Sequence, residues 1–302
     1  MQPVRFGSDN QLRTRMWVTM LLLAALYGGF VWFALASGIT WLLGIAVAFV
    51  FVQFAFSDRM VLASMRAKVV SREEAPKLHR MIGELSMKAG IPMPKVAISE
   101  LSVPNAFATG RSQSKAVVCV TRGLLNIMSD DELEAVLGHE ITHIQNKDVV
   151  VMTYASFFLI VASMLTTMLF YSALFGGMTR SRDNNGNSLA SMLLLVMLVV
   201  FLVRILGSIL VATLSRYREF SADRGSAILT RQPMALASAL QRLQGSMAAV
   251  PTNDLRKAEG MNAFFIMSAV GRGAVELFAS HPSTEKRIAR LREYQQQLGS
   301  LR

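Results

Sequence analysis

Four apolar stretches constrain this chain more than any other feature: residues 16–36, 39–56, 149–176 and 189–214. Each is long enough to cross the hydrocarbon of a bilayer, which takes a helix of roughly 17–25 residues. Backbone in lipid must satisfy its own hydrogen bonds, so runs of this length are read as helices. The expected class is a mainly α membrane protein with four transmembrane helices in two hairpins. Composition agrees, since 52% of the 302 residues are hydrophobic and only 17% charged. The first stretch ends in Ala34-Leu35-Ala36, which resembles a signal-peptide cleavage site. Its length, and the second stretch close behind, favour a retained anchor.

Charge gives the orientation. The formal net charge is +11, and the basic residues gather at particular span ends. Arg5, Arg13 and Arg15 precede the first stretch, and Arg59, Arg66 and Lys68 follow the second. Lys147 precedes the third, and Arg216, Arg218 and Arg224 follow the fourth. The positive-inside rule puts all of these, and both termini, on the cytoplasmic side. Arg180 and Arg182, between the third and fourth stretches, dissent. Arg204, inside the fourth, reads as a side chain that snorkels to the headgroups. The cations are scattered, without aromatic interleaving or a basic helix face, so no nucleic-acid partner is expected. The single cysteine, Cys119, excludes a disulfide framework and a thiolate metal cluster.

The chain therefore divides into a transmembrane hairpin over 1–56, a soluble part over 57–148, a second hairpin over 149–214 and a second soluble part over 215–302. Both soluble parts fall on one side, and neither looks complete alone. In the first, the spacing predicts a helix from Pro76 that stops at Gly90 and Pro92. Two short strands are expected at KVAIS and KAVVCVT, flanking the turn-rich PNAFATGRSQS. The second soluble part is helical in pattern.

Ahead of LEAVLGHEITHIQNK, Ser129 and Glu132 have the S-x-x-E spacing of a capping box, so a helix should begin near Asp130. His139 and His143 are four apart and share a face of that helix, within reach of one ion. Glu140, beside the first histidine, is placed to take a proton from a water polarised by that ion. A catalytic zinc usually has three protein ligands. The H-E-x-x-H-x-x-G-x-x-H arrangement fails here, because Asn146 and Val149 occupy the glycine and third-histidine positions. A distant carboxylate is then the natural third ligand. SRYREFSADRGSA offers Glu219 and Asp223, four apart on one helix face; taken alone, that segment reads by default as a solvated charged face. Paired with HEITH, Glu219 would ligate and Asp223 would accept the free ring N–H of a ligating histidine.

HEITH following DELEAVLG, SRYREFSAD after the fourth span, and SHPSTEKRIARL near the end together resemble the HtpX-type integral-membrane zinc metalloproteases, relatives of the CAAX prenyl proteases. The likeness covers nearly the whole chain. It implies one Zn²⁺ per chain held by His139, His143 and Glu219, with Glu140 as the catalytic carboxylate, in a cytoplasmic zincin-like domain with a small β-sheet. It also implies that PNAFATG is the strand edging the active site, with Asn105 and Ala106 lining the peptide groove. His281 and Arg287 match a pair near the site in relatives, where His281, helped by Arg287, would stabilise the oxyanion. The substrates implied are polypeptides, above all misfolded or damaged membrane proteins, and purified protein should cut itself. Partners are then substrate and lipid, with room for other quality-control proteases. The competing reading is a non-enzymatic membrane chaperone or adaptor with a structural zinc site. It would normally need four protein ligands and leaves Glu140 without a purpose.

Overall fold

The computed structural model describes residues 9–36, 40–176, 186–249 and 279–300. The expectations resting on Arg5, Ile39, Arg180 and Arg182 lie outside the described residues. The apolar stretches are helical and overrun their predicted ends: α1 (Asn10–Ala36), α2 (Thr40–Ser64), α6 (Asp148–Gly176) and α7 (Gly186–Thr230). Among the described residues, two helices are long and apolar enough to cross a membrane, Asn10–Phe33 and Leu194–Thr230. A third counts if α6 and the helix before it form one bent span.

The helices α1, α6 and α7 pack through Phe30, Val161, Ala162, Val196, Val200 and Val203. Outward they present Trp17, Trp32, Leu194 and Leu198, each more than half exposed. Apolar surface of that extent suits lipid rather than water. Arg204 lies exposed on α7. With 45 residues, α7 is about 68 Å long, over twice the ~30 Å of hydrocarbon. Its last turns, past the apolar run that ends at Leu214, must project beyond the membrane.

The remaining elements assemble around that projection. A four-stranded mixed sheet has the order β1-β2-β4-β3, with β1 (Ala67–Val69), β2 (Lys95–Ser99), β3 (Ala106–Thr109) and β4 (Val117–Thr121). The central pair β2 and β4 is parallel, and β1 and β3 flank it antiparallel. Thus β3 is an edge strand, where the turn-rich character of PNAFATGRSQS points to a loop. Two effects make it extended. Thr121 fastens the Asn105 backbone, accepting from its N–H at 2.8 Å and donating to its carbonyl at 3.0 Å. Phe107 is buried against Val61, Met65 and Cys119. Only the tail of the segment turns, through a 3-10 turn at Gln113–Lys115. Three-residue β1 is too short to leave a sequence pattern.

α3 (Pro76–Ala89) has proline in its first turn and ends at Gly90 in the left-handed region, as predicted. The short α4 (Arg122–Ile127) leads into α5 (Asp130–Gln145), whose capping box forms: the Ser129 hydroxyl accepts from the Glu132 N–H, and Glu132 accepts from the Ser129 N–H. α8 (Pro233–Ala249) and α9 (Thr284–Ser300) complete the set. Ile82, Leu85, Val118, Val136, Ile141, Leu240 and Leu291 share one core that joins both soluble parts. Neither part could bury these residues alone.

Candidate metal centre

The centre lies where α5 crosses α7. The crossing is close because small residues meet there. A Cβ at Gly225 would fall 2.2 Å from Cγ2 of Thr142, and one at Gly138 would fall 3.0 Å from Cγ2 of Thr230. Ser226 adds a hydroxyl bond to the Ala135 carbonyl at 2.6 Å. This contact carries Glu219 and Asp223, from one end of the sequence pattern, onto His139 and His143, from the other.

His139 Nε2, His143 Nε2 and the Glu219 carboxylate face a common point. The two ring nitrogens are 3.0 Å apart. Glu219 lies 3.5 Å from His143 Nε2 through Oε1 and 3.6 Å from His139 Nε2 through Oε2. Tetrahedral bonds of about 2.0–2.1 Å separate ligand atoms by roughly 3.3–3.4 Å, so the donor set fits a zinc-sized ion. Glu219 Oε2 is buried and makes no hydrogen bond, although Arg287 Nη1 lies 3.2 Å away. An ion would satisfy it.

The hydrogen bonds behind the rings fix which nitrogen points forward. Nδ1 of His139 lies 3.0 Å from Asp223 Oδ1. A carboxylate accepts, so Nδ1 carries a proton, and in the neutral ring Nε2 is the nitrogen that presents its lone pair. Asp223 is itself gripped by Arg287, from Nε at 2.9 Å and Nη2 at 2.6 Å. His143 has the same arrangement from a different source: its Nδ1 lies 2.5 Å from Asp148 Oδ2, and the other oxygen of Asp148 pairs with Arg218. Asp148 and Arg218 have no place in the sequence-based expectation. Asp148 stands five residues after His143, off the i+4 face of a straight helix, and Arg218 reads as one of several basic residues after the fourth span.

α5 does not run straight into α6. Lys147 adopts φ 57°, and the two helices meet at a 59° bend. The bend turns Asp148, at the head of α6, back toward His143.

Charge is concentrated and balanced. Burial would raise the carboxyl pKa of Glu219, but His281, His139 and His143 hold it well below the usual carboxylate range. For Asp223, burial is outweighed by the Arg287 guanidinium and the His139 hydrogen bond, so its pKa is lowered. Burial pulls down the pKa of His139 and His143, yet both are raised, His139 by its hydrogen bond to Asp223 and the nearby Glu219 carboxylate, His143 by Glu219. Glu140 is almost fully buried, and its pKa is raised because burial disfavours the charged form.

Of the other expected residues, His281 brings Nδ1 to 3.4 Å from Glu219 Oε2. Arg287 directs its guanidinium at Asp223 and Glu219. It thus stands behind the candidate ligand set, sharing Glu219 Oε2 with His281. Asn105 and Ala106 are buried at the start of β3.

A buried two-histidine, one-carboxylate cluster with a glutamate beside the first histidine, joined to membrane-length helices, defines a membrane metalloprotease. The profile of Peptidase family M48 matches residues 72–295. The chain is 49% identical to a "Protease HtpX homolog" of Moorella thermoacetica over 298 residues, 97% of this chain and 98% of that protein. It is 47% identical to "Protease HtpX homolog 1" of Streptomyces coelicolor, covering 98% and 96%. It belongs to peptidase family M48. Among solved structures, the crystal structure of S. mikatae Ste24p aligns over 91% of this chain and 66% of that one, with a TM-score of 0.54 and 20% identity. That last likeness concerns the fold alone.

Proposed function

We propose that this chain is a zinc-dependent endopeptidase of a bacterial-type inner membrane. It has four spans, with both termini and the active site on the cytoplasmic side, and it cuts misfolded or damaged membrane proteins at the membrane surface. One observation carries the reading: the helices bearing the clustered ligands, α5 and α7, are the ones that lead into or out of apolar helices. The site thus stands at the height where loops of a bilayer-anchored substrate emerge. The apolar α2 and α6 supply the second and third spans.

In this reading His139 and His143 through Nε2, and Glu219 through its carboxylate, hold one Zn²⁺. Bound there, zinc supplies Lewis-acid polarisation of the scissile carbonyl and of the attacking water. Glu140 accepts a proton from that water and returns it to the leaving amine; burial moves its pKa toward the range where both transfers work. His281, beside Glu219, donates to the oxygen where negative charge develops. Asp223 with Arg287, and Asp148 with Arg218, keep the two rings in the ligating tautomer. The outer edge of β3, starting at Asn105 and Ala106, pairs with an extended substrate through backbone groups. Such pairing tolerates many sequences and suits quality control.

The experiment compares zinc-loaded wild type with Glu140→Ala, following cleavage of casein and of the protein itself. Wild type should cut both and the variant neither. Equal cleavage by the two would sink the assignment of Glu140.

A further inference from the structure

Beside the metal centre lies a cavity of about 330 Å³. Its walls include Thr109 at the end of β3, Arg111 and Gln113 of the following turn, His143, and Lys147 and Val150 at the α5–α6 bend. It therefore continues the groove along the edge strand past the ligands.

The cavity is built rather than incidental. Gly110 has φ +130°, and a Cβ there would lie 2.6 Å from the Lys115 carbonyl, so only glycine allows the chain to turn this tightly. Gln113 then straps the turn to the end of α5, donating to the carbonyls of Gln145 at 3.0 Å and Ile144 at 3.4 Å. Arg111 is thereby held at the wall with its Nε buried and without a hydrogen bond. Lys147 forms no ion pair among the described residues. The acid in the lining, Asp148, is already neutralised by Arg218 and engaged by His143. The lining thus holds two cations without carboxylate partners.

Resting on the peptidase reading above, we propose that this cavity is a specificity subsite for an acidic side chain of the substrate, Asp or Glu, with Arg111 as its principal partner and Lys147 as the second. Its place in the peptide follows from strand direction. A substrate pairing antiparallel to β3 has its N-terminal side at the C-terminal end of β3. The cavity opens at that C-terminal end, past Thr109. The acidic residue is therefore on the N-terminal side of the scissile bond. An anionic lipid headgroup would answer the same charge, but the cavity is walled by a ligand histidine and the strand terminus, which favours the peptide.

The full-length protein, zinc-loaded in nanodiscs, tests this. Wild type, Arg111→Gln, Arg111→Glu and Lys147→Gln digest peptides derived from casein, and cut sites are mapped by mass spectrometry. Metal content and circular dichroism check that each variant folds. Wild type should enrich Asp and Glu at one fixed position on the N-terminal side of the cut. The enrichment should weaken in Lys147→Gln, vanish in Arg111→Gln, and give way to Lys and Arg in Arg111→Glu. For matched Glu and Lys peptides, kcat/KM should differ by about tenfold in wild type and invert in Arg111→Glu, the scale of one charge pair. Cutting without acidic preference, or an Arg111→Glu profile identical to wild type, overturns the subsite and leaves the peptidase intact. A profile unchanged by Arg111 while activity responds through it to anionic nanodisc lipid also overturns it, in favour of a headgroup site. Absence of any cutting by zinc-loaded wild type would remove the peptidase reading and the subsite together.

Discussion

Asp148 and His143 belong to different helices yet meet at 2.5 Å, with Asp148 held in turn by Arg218. The contact exists because the chain bends by 59° between α5 and α6. His139 has an equivalent in Asp223 and Arg287. Each candidate ligand histidine is thus aimed by a carboxylate, and each carboxylate by an arginine. One of the two sets is built from the junction between α5 and the apolar α6.

Removing Asp148 should therefore weaken metal binding without dismantling the fold. Asp148→Asn is expected to lower zinc affinity about 10–100-fold, the usual cost of losing such a partner. Competition against a chromophoric chelator measures it. Asp148→Glu should recover part of the loss if the carboxylate acts by aiming the ring, and none if it serves only packing.

Glu140 should behave in the opposite way. Its side chain is buried beside the ligands but is not one of the clustered donors. Glu140→Gln keeps its size and is expected to retain zinc while kcat/KM for a peptide falls at least about 10²–10⁴-fold. A variant that lost its metal would show Glu140 to be structural.

The sequence revealed the helices of the centre more readily than the bonds between them. The capping box at Ser129 and Glu132, the i+4 pair His139 and His143, and the stop at Gly90 depend on neighbours in the chain, and all three form. Asp148 was hidden because a straight helix would turn it away; it is the left-handed Lys147 that brings it back. Strand β3 was masked in composition by Pro104, Asn105 and Gly110. What makes it extended is Thr121, sixteen residues on. The cavity at Arg111 depends on three separated segments and leaves no local pattern at all.

The crossing of α5 and α7 makes Gly225 sensitive to a single methyl group. Its Cβ would lie within 2.3 Å of both Cγ2 and Oγ1 of Thr142, so α7 must shift and take Glu219 and Asp223 with it. Gly225→Ala is expected to cost about 1–3 kcal/mol and to weaken zinc binding as well. Thermal unfolding with and without metal reads both effects. The double variant with Thr142→Ser should recover part of each, since it removes Cγ2, the nearest of the three clashing atoms.

Protons compete with the ion at this centre, and the direction can be worked out. In the metal-free protein the pKa of His139 is raised by its hydrogen bond to Asp223 and the nearby Glu219 carboxylate, which overcome burial, and that of His143 by Glu219. Groups raised in the folded state stabilise it below their unfolded pKa, near 6.5, and that contribution is lost as pH rises through the folded value. Metal has the reverse dependence, because each histidine must be neutral to ligate. Zinc affinity should therefore fall on acidification, starting above pH 6.5, and uptake near neutrality should release protons. Calorimetry in buffers of differing ionisation enthalpy counts them. The gap in Tm between zinc-loaded and metal-free protein should narrow from pH 8 to pH 6. A constant gap with no proton release would mean that the two rings are already neutral before the ion arrives.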